Sequence, residues 1–451
     1  MSDTQITIVG GGSYQWSPEL LADLLSTPSM QGCHIVLEDI DPAPLDAMRA
    51  LGERISDTLG AKATFETTTD QRRALDGADF VVVTISTGGF ESMRVDLEVP
   101  ARYGIRQSVG DTVGPGGINR SLRNVPVLVD IACDMADVCP DAWLLNITNP
   151  MSCLTRAICR ETTIKAVGLC HEVGNFCLDL AIALGKPAGA VRPTVMGVNH
   201  FPVLTELEID GGDGWAVLRE IVETSGGLEA LRPGPDREPG EPFSTLDFAQ
   251  RHFLKLSLLD RWGLLPAAGD RHVAEFLPFI LTEESGWGEA WGIELTSIAT
   301  REGHQREYVA HLDAMLSGEE QLVTWPSGEL PAPVIDSLVT GAPRELPVNI
   351  PNAGQCPELP ADAVVECIGV VDDRGIRGRD VLRASPPINE LVRRHVEVQE
   401  LTVEAALAGD RVATSEAFAL DPLAGRIDLG RQDAMIGELL EGTARWLPRF
   451  A

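Results

Sequence analysis

Cys170 and His200 are the residues whose types and spacing best suit metal chemistry in this chain. Cys170 follows the apolar run 164–168 and His200 follows the run 194–198, so each lies just beyond a predicted strand. A thiolate and an imidazole that converge at neighbouring strand ends can hold one divalent metal ion beside a bound dinucleotide. The alternative is that Cys170 is a buried free thiol, which is the common environment of unpaired cysteines.

The elements that must position this pair begin with a glycine-rich turn near the N-terminus. A β-rich run at residues 5–9 leads into Gly10, Gly11, Gly12 and Ser13, and an apolar-periodic helix is predicted at 18–25. Strand, glycine turn and helix together let the backbone approach a pyrophosphate at a helix N-terminus. We therefore assign Gly10, Gly12 and Ser13 to cofactor binding. The spacing is not a complete G-x-G-x-x-G, so an ordinary turn is the alternative.

An acidic residue follows the second predicted strand. The run 34–37 leads into Asp39, at the position where dinucleotide folds read the ribose hydroxyls. A carboxylate here also repels a 2'-phosphate, which favours NAD over NADP. Asp41 is expected to cap a helix that starts at Pro42, and the alternative is that both acids serve only as helix caps.

Alternating strands and helices predict an α/β fold with a Rossmann-type, doubly wound parallel sheet. Continuous apolar runs are typical of parallel strands covered on both faces. Ligands gather outside the carboxyl ends of such strands, where Gly88 and Asn146 become further candidates for cofactor binding. The predicted strands are 79–85, 142–146 and 164–168, and the predicted helices are 122–135, 151–160 and 175–184.

The pattern changes after about residue 190. Alternating strands at 194–198 and 204–209 suggest an antiparallel layer, and residues 211–241 read as a surface loop with a short helix. We expect a nucleotide-binding domain at 1–190 and a C-terminal α+β domain at 191–451, which binds substrate and metal and forms the oligomer interface. Its long helices are predicted at 247–261, 289–315, 389–408 and 431–446.

Composition excludes several classes of partner. The chain has 67 acidic and 36 basic residues and a net charge of -31, which repels nucleic-acid phosphates. Nine cysteines without a C-x-x-C pair indicate a reducing, cytoplasmic compartment. No export signal and no apolar run of about eighteen residues is visible, so we expect no membrane association.

An ordered set of motifs resembles the NAD-dependent glycoside hydrolases of family 4 and their close relatives. The set spans nearly the whole chain, and its specificity lies in the order rather than in any single motif. The motifs are Val9-Gly-Gly-Gly-Ser13, Leu37-Glu-Asp-Ile-Asp41, Gly88-Gly89 with Arg94 and Asp96, Gly114-Pro-Gly-Gly117 with Leu122-Arg123, Asn146-Ile-Thr-Asn-Pro150, Gly168-Leu-Cys-His171, Gly197-Val-Asn-His200, Gly269-Asp-Arg-His272 with Glu275-Phe276, Val348-Asn-Ile-Pro-Asn352 and Asp421-Pro-Leu423.

The resemblance implies an uncommon route to glycoside cleavage, an exception to the usual pair of carboxylates. NAD+ oxidises the sugar at C3, a base removes the C2 proton, the C1 substituent is eliminated, water adds, and NADH returns the hydride. It also implies Mn2+ as the ion held by Cys170 and His200. The family's dimers or tetramers lead us to expect a homodimer or tetramer.

Roles for further residues follow from the same resemblance. Asp270 is our choice for the C2 base, with His272 next, and the alternative is that Asp270 forms a salt bridge or caps a helix over 271–281. His171 would protonate the leaving oxygen. Asn149 and Asn199 would bind sugar hydroxyls, and an Asx turn before the next helix is the alternative for Asn149.

The resemblance also bears on the substrate. Arg271 or Arg94 would pair with an anionic C6 group, a carboxylate or a sulfonate, which makes the expected substrate a uronide or a sulfoquinovoside. Arg94 has an alternative role as a surface partner of Asp96 or Glu98. A neutral α-glucoside or α-galactoside is the alternative substrate. A 2-hydroxyacid dehydrogenase and a non-catalytic nucleotide-binding regulator are the rival functions.

Overall fold

One 12-stranded sheet runs through the protein. The computed structural model describes residues 4–233, 243–325, 327–381 and 384–451, so part of the predicted loop 211–241 lies outside the described residues. The strands are β1 (Gln5–Val9), β2 (His34–Glu38), β3 (Thr64–Thr68), β4 (Phe80–Val83), β5 (Trp143–Asn146), β6 (Lys165–Gly168), β7 (Val191–Val198), β8 (Phe201–Ile209), β9 (Gly212–Asp213), β10 (Arg344–Pro351), β11 (Val364–Asp372) and β12 (Gly375–Gly378).

The N-terminal half of the sheet is parallel and has the order β3-β2-β1-β4-β5-β6. Ile6 of β1 pairs with Ile35 of β2 on one side and with Phe80 of β4 on the other. Every residue of β4 is buried, as expected of a central strand with helices on both faces. This strand order is that of the Rossmann fold, so the predicted fold class is confirmed.

The C-terminal strands extend the same sheet. β10 lies antiparallel to β6 through the pair Asn349 and Gly168, and β11 then pairs with both β10 and β7. β7 and β8 pair antiparallel, as predicted, and they extend the N-terminal sheet. The domain boundary near residue 190 stays a prediction, because strands from both halves belong to one sheet.

Helices cover both faces of the sheet. Three of the predicted helices are too long. The stretch 247–261 is interrupted at His252, and the helix predicted at 289–315 begins only at Ile298. The helix expected over 271–281 ends at Val273 and continues as a 3-10 turn to Phe276, because Leu277 precedes Pro278 and takes an extended conformation. The helices are α1 (Trp16–Ser26), α2 (Leu45–Leu59), α3 (Gln71–Leu75), α4 (Gly89–Arg102), α5 (Gly114–Val138), α6 (Met151–Glu161), α7 (Glu172–Ala183), α8 (Gly214–Thr224), α9 (Thr245–Arg251), α10 (Phe253–Trp262), α11 (Asp270–Val273), α12 (Ile298–Ser317), α13 (Pro331–Thr340), α14 (Pro386–Ala408), α15 (Arg411–Leu420) and α16 (Leu429–Gly442).

The C-terminal helices share a core with the N-terminal sheet. Val81 and Val83 of β4 and Leu144 of β5 lie in one buried cluster with Phe418 of α15 and Met435 of α16. Helix α14 packs against both α5 and α6. This shared core fixes the position of the C-terminal loops relative to the N-terminal loops at the edge where the parallel strands end. Among the described residues, the helices include none that is both long and apolar enough to cross a membrane.

Candidate active site

A cleft of about 1020 Å3 opens where β5 and β6 end. Loops from both halves of the chain line it, including 109–111, 267–272 and 289–296. Of the residues predicted from the sequence, Asn149, Cys170, His171, His200, Asp270, Arg271 and His272 all line this cleft. The folded chain therefore brings together side chains that are up to about 120 positions apart, as expected at the carboxyl ends of parallel strands.

The glycine turn predicted to bind the cofactor lies directly after β1. Gly10 has φ +86°, and a Cβ there would lie 2.0 Å from the carbonyl oxygen of Thr84. The Asp39 Oδ2 atom accepts a hydrogen bond of 3.1 Å from the Gly12 N–H, so the acid and the turn form one unit. Only glycine fits at position 10, because a side chain there would collide with the backbone of Thr84.

The other predicted cofactor residues lie at the ends of neighbouring strands. Ser13 accepts a hydrogen bond of 3.2 Å from the Trp16 N–H at the start of α1. Gly88 has φ +82° just before α4, and Asn146 ends β5, where its Oδ1 accepts from the Thr148 N–H at 2.9 Å. None of these predicted cofactor residues is among the residues that line the cleft, although Gln15 and Trp16 are. The cleft thus begins where the glycine turn ends.

The predicted cap at Asp41 is wrong. Helix α2 begins at Leu45, with Pro44 at its N-cap position. The Asp41 Oδ1 atom accepts instead from the Ala43 N–H at 3.0 Å, which closes a short turn before the helix.

Three potential metal ligands meet in the cleft. Ligand atoms of Asp111, His200 and His272 all lie within 4.8 Å of one another. The His200 and His272 ring centroids are 3.7 Å apart. Cys170 lines the same cleft but does not belong to this group of three. Its assignment as a ligand stays a prediction, and Asp111 and His272 are the candidates that the structure adds.

Hydrogen bonds orient the His200 ring. The Thr112 hydroxyl donates to Asp111 Oδ1 at 2.7 Å, so its oxygen must accept from His200 Nδ1, which lies 2.8 Å away. The Nδ1 proton leaves the Nε2 lone pair of His200 available for a metal ion. Such a hydroxyl and carboxylate behind a histidine is the support that metal-ligating imidazoles require.

The charges of these groups suit a cation. Burial, with the neighbouring His272, lowers the pKa of His200 to about 3, so its ring is neutral at physiological pH. Burial opposes ionisation of Asp111, but His272, His200 and two arginines lower its pKa to about 2. A carboxylate with a neutral imidazole is a donor set that Mn2+ and other divalent transition ions accept. Burial raises the pKa of the Cys170 thiol well above its ordinary value, so its binding to a metal would have to release a proton.

Asp270 has one free carboxylate oxygen. Its Oδ2 accepts from the Leu254 N–H at 2.8 Å, while Oδ1 is buried without a hydrogen-bond partner in the described part of the chain. The Lys255 ammonium lies 3.9 Å from Oδ1 and donates to the Ala268 carbonyl at 2.8 Å. Burial raises the pKa of Asp270 to about 6, which is the range of a general base near neutral pH.

His171 is held by two carboxylates. Its Nδ1 atom hydrogen-bonds to Glu329, and its Nε2 atom lies 3.7 Å from Glu172. Burial opposes protonation, but these carboxylates raise the pKa of His171 to about 10, so the ring is a cation at neutral pH. Both ring nitrogens face acidic partners, which leaves no ring N–H directed at a leaving group in this conformation.

The residues predicted to bind substrate have different environments. Arg94 lies outside the cleft on α4, where it pairs with Glu98 at 3.1 Å and Glu302 at 2.9 Å, in line with its surface alternative. Asn199 is fully buried and does not line the cleft. Asn149 lines the cleft with its Oδ1 atom unpaired among the described residues, so its side chain forms no Asx turn.

Sequence reasoning missed several residues of the cleft. Asp111 lies in a loop with no strand or helix pattern, and its only signal was its place just before the Gly114-Pro-Gly-Gly117 motif. Glu329 and Arg301 lie far along the chain from the ends of β5 and β6, so no local pattern connects them with the cleft. Lys255 is in the middle of an apolar-periodic helix, where a lysine is usually solvated.

A Rossmann-type sheet whose parallel strands end at a cleft with a carboxylate and imidazole cluster is an arrangement typical of α/β enzymes. Residues 5–185 match the model of the family 4 glycosyl hydrolases, and residues 195–424 match the model of the family 4 glycosyl hydrolase C-terminal domain. The chain therefore belongs to glycosyl hydrolase family 4, and it is a glycosidase.

Similar proteins align with this chain over nearly its whole length. An alpha-galacturonidase of Lachnoclostridium phytofermentans is 34% identical, over 100% of this chain and 98% of its own length. An alpha-galactosidase of Bacillus subtilis is 32% identical, over 99% of each chain. Among solved structures, a 6-phospho-alpha-glucosidase from gut microorganisms in complex with NAD and Mn2+ superposes with a TM-score of 0.82 at 19% identity, over 99% of each chain. This last likeness shows the fold alone.

Proposed function

We propose that this glycosidase depends on NAD and a divalent metal ion, and that it cleaves glycosides with an anionic C6 group. The observation that carries the proposal is the cluster of Asp111, His200 and His272 in a cleft that begins where the glycine turn ends. A hydrolase that works with two carboxylates alone needs neither feature.

The residues that would hold the two groups are already arranged for them. Gly10, Gly12, Ser13, Asp39, Gly88 and Asn146 would bind NAD, and Asp111, His200 and His272, with Cys170, would bind Mn2+. When bound, these groups supply a hydride acceptor for sugar C3 and a positive charge beside O2 and O3. Support for this fit comes from the hydrogen bond between Asp39 and the glycine turn and from the Nδ1 hydrogen bond of His200, which leaves its Nε2 lone pair for a metal ion.

The side chains of this protein would then position the sugar and move protons. Asp270 receives the C2 proton at Oδ1, its unpaired oxygen, while the Leu254 N–H fixes Oδ2. The Asn149 amide, with its own free oxygen, receives a sugar hydroxyl. His171, predicted as the acid for the leaving group, could act only after it releases Glu329 or Glu172.

The anionic substrate is supported by the relatives and by the cleft. Alpha-galacturonidases, whose substrates carry a C6 carboxylate, are among the relatives, at 34% and 32% identity over nearly the whole chain. Arginine side chains, Arg271 among them, line the cleft of a protein whose net charge is -31. Because an alpha-galactosidase is also among the relatives, a neutral hexoside is the second candidate substrate. A sulfoquinovoside also carries an anionic group at C6.

Direct assay tests this proposal. Nitrophenyl α-galacturonide, glucuronide, sulfoquinovoside, galactoside and glucoside are incubated with the protein, NAD+, Mn2+ and a thiol reductant. We expect cleavage of an anionic glycoside without net NADH, loss of activity on chelation, and recovery with Mn2+. Preference for a neutral glycoside would reject the C6 assignment, and steady accumulation of NADH would indicate a dehydrogenase instead.

We also propose that the protein works in the cytoplasm as a homodimer or tetramer. All nine cysteines are free thiols, which fits a reducing compartment. Light scattering on the purified protein should give a mass of two or four times 48.5 kDa. A monomeric mass at micromolar concentration would reject the oligomer.

A further inference from the structure

Arg301 has a position unlike that of the other arginines of the cleft. It lies near the start of α12, is half-buried and lines the cleft. Its guanidinium makes no hydrogen bond or ion pair with any residue in the described ranges, and its Nε atom is buried without a partner. An unpaired, partly desolvated cation is costly to the folded state unless a ligand supplies the missing anion.

The other cleft arginines already have partners. Arg251 donates to both carboxylate oxygens of Asp179 at 3.0 Å. Arg271 donates to the Ser108 carbonyl at 3.1 Å and to the Thr296 hydroxyl. These contacts fix the Arg271 guanidinium in place and leave Arg301 as the arginine of this wall that is free to take a new partner.

Arg301 and Arg271 line the same cleft. Burial and then the charge of Arg301 lower the pKa of Arg271, and Arg301 is also one of the charges that lower the pKa of Asp111. Acidic side chains such as Glu294 also line the cleft, so its total charge does not select an anionic ligand. The unpaired guanidinium of Arg301 is the feature that favours an anionic group of a bound ligand.

We propose that Arg301 is the specificity residue that binds the anionic C6 substituent of the sugar, with Arg271 as a fixed neighbour. A guanidinium forms two parallel hydrogen bonds with a carboxylate, a geometry that a lysine cannot reproduce. This inference rests on the proposed function, because it places the sugar between Arg301 and the cluster of Asp111, His200 and His272. It replaces Arg94, whose partners on the surface are Glu98 and Glu302.

The test compares Arg301→Gln and Arg301→Lys with the control Arg306→Gln on the same helix, where Arg306 is exposed. The readout is the ratio of kcat/KM for nitrophenyl α-galacturonide to that for nitrophenyl α-galactoside. Loss of a charged hydrogen-bonding group should lower this ratio about 10- to 100-fold in Arg301→Gln. The lysine variant should retain part of it, and Arg306→Gln should match the wild-type protein.

A binding measurement separates this inference from the proposed function. Calorimetry with D-galacturonate and D-galactose, in the presence of NAD+ and Mn2+, should show that Arg301→Gln loses affinity for galacturonate alone. If the wild-type protein cleaves neither glycoside but still binds galacturonate through Arg301, the proposed function fails and this inference stands. An unchanged ratio of kcat/KM in Arg301→Gln, with unchanged galacturonate affinity, would overturn the inference.

Discussion

Replacing Asp270 with asparagine should stop removal of the sugar's C2 proton. Asparagine keeps the shape and can still accept the 2.8 Å hydrogen bond from the Leu254 N–H, but its amide cannot receive a proton at the position of Oδ1. A positioned general base contributes about 10²- to 10⁴-fold to rate, or about 3–5 kcal/mol of barrier. We therefore expect kcat to fall by that factor, with a small change in KM.

The assay follows hydrogen exchange as well as turnover. In D2O the wild-type protein should introduce deuterium at C2 of the released sugar, detected by NMR, whereas Asp270→Asn should not. Asp260→Asn, on the exposed end of α10, is the matched control and should behave as wild type. Exchange retained in Asp270→Asn would refute the assignment of the base.

Stability must be measured in parallel, because Lys255 is buried beside Asp270. Its ammonium lies 3.9 Å from Oδ1 and keeps its hydrogen bond to the Ala268 carbonyl in the variant. Breaking a buried pair costs about 3 kcal/mol. Loss of exchange supports Asp270 as the base only if circular dichroism shows that Asp270→Asn remains folded at the assay temperature.

Two further predictions concern the fold around the cofactor turns. Burial, with the charges of Asp39 and Asp70, raises the pKa of Glu38 to about 7. Stability is therefore lost as pH rises from about 4.5 through 7, by about 3 kcal/mol. Glu38→Gln should gain thermal stability over wild type at pH 8.5 but not at pH 4, and an equal difference at both would contradict this. Arg123→Met leaves the Asp96 carboxyl buried without its salt-bridge partner, since both side chains are 0% exposed. It should lose about 3–5 kcal/mol in urea unfolding, and an unchanged midpoint would contradict the prediction.

Local sequence patterns were sufficient for the N-terminal half of the fold. The run 5–9 is β1 as predicted, because an apolar β-rich segment that ends in glycines has few other structures available. The polar turns after β5 and β6 could be placed at one edge, because parallel strands end on the same side of a sheet. On that basis Asn149, Cys170 and His171 were predicted to lie near one another, and all three line the cleft.

Long-range contacts explain what the sequence could not predict. β10 joins β6 through the single pair Asn349 and Gly168, a partnership that no local pattern indicates. Asp111 meets His200 and His272 from a loop about 90 and 160 positions away, and its neighbours carry no periodic signal. Arg301 lies on a polar helix whose residues read as a solvated face. For Arg94 the sequence left substrate binding and surface pairing both open, and its contacts with Glu98 and Glu302 favour the surface role.

Manganese binding tests the central claim most directly, namely that Asp111, His200 and His272 hold one divalent ion in the cleft. Mn2+ titrations of the reduced protein, followed by electron paramagnetic resonance, compare wild type with Asp111→Asn and His272→Asn. The exposed His311→Asn serves as control. We expect each cluster variant to lose about 10-fold or more in Mn2+ affinity while NAD+ binding is retained. Wild-type Mn2+ affinity in both variants would contradict the claim.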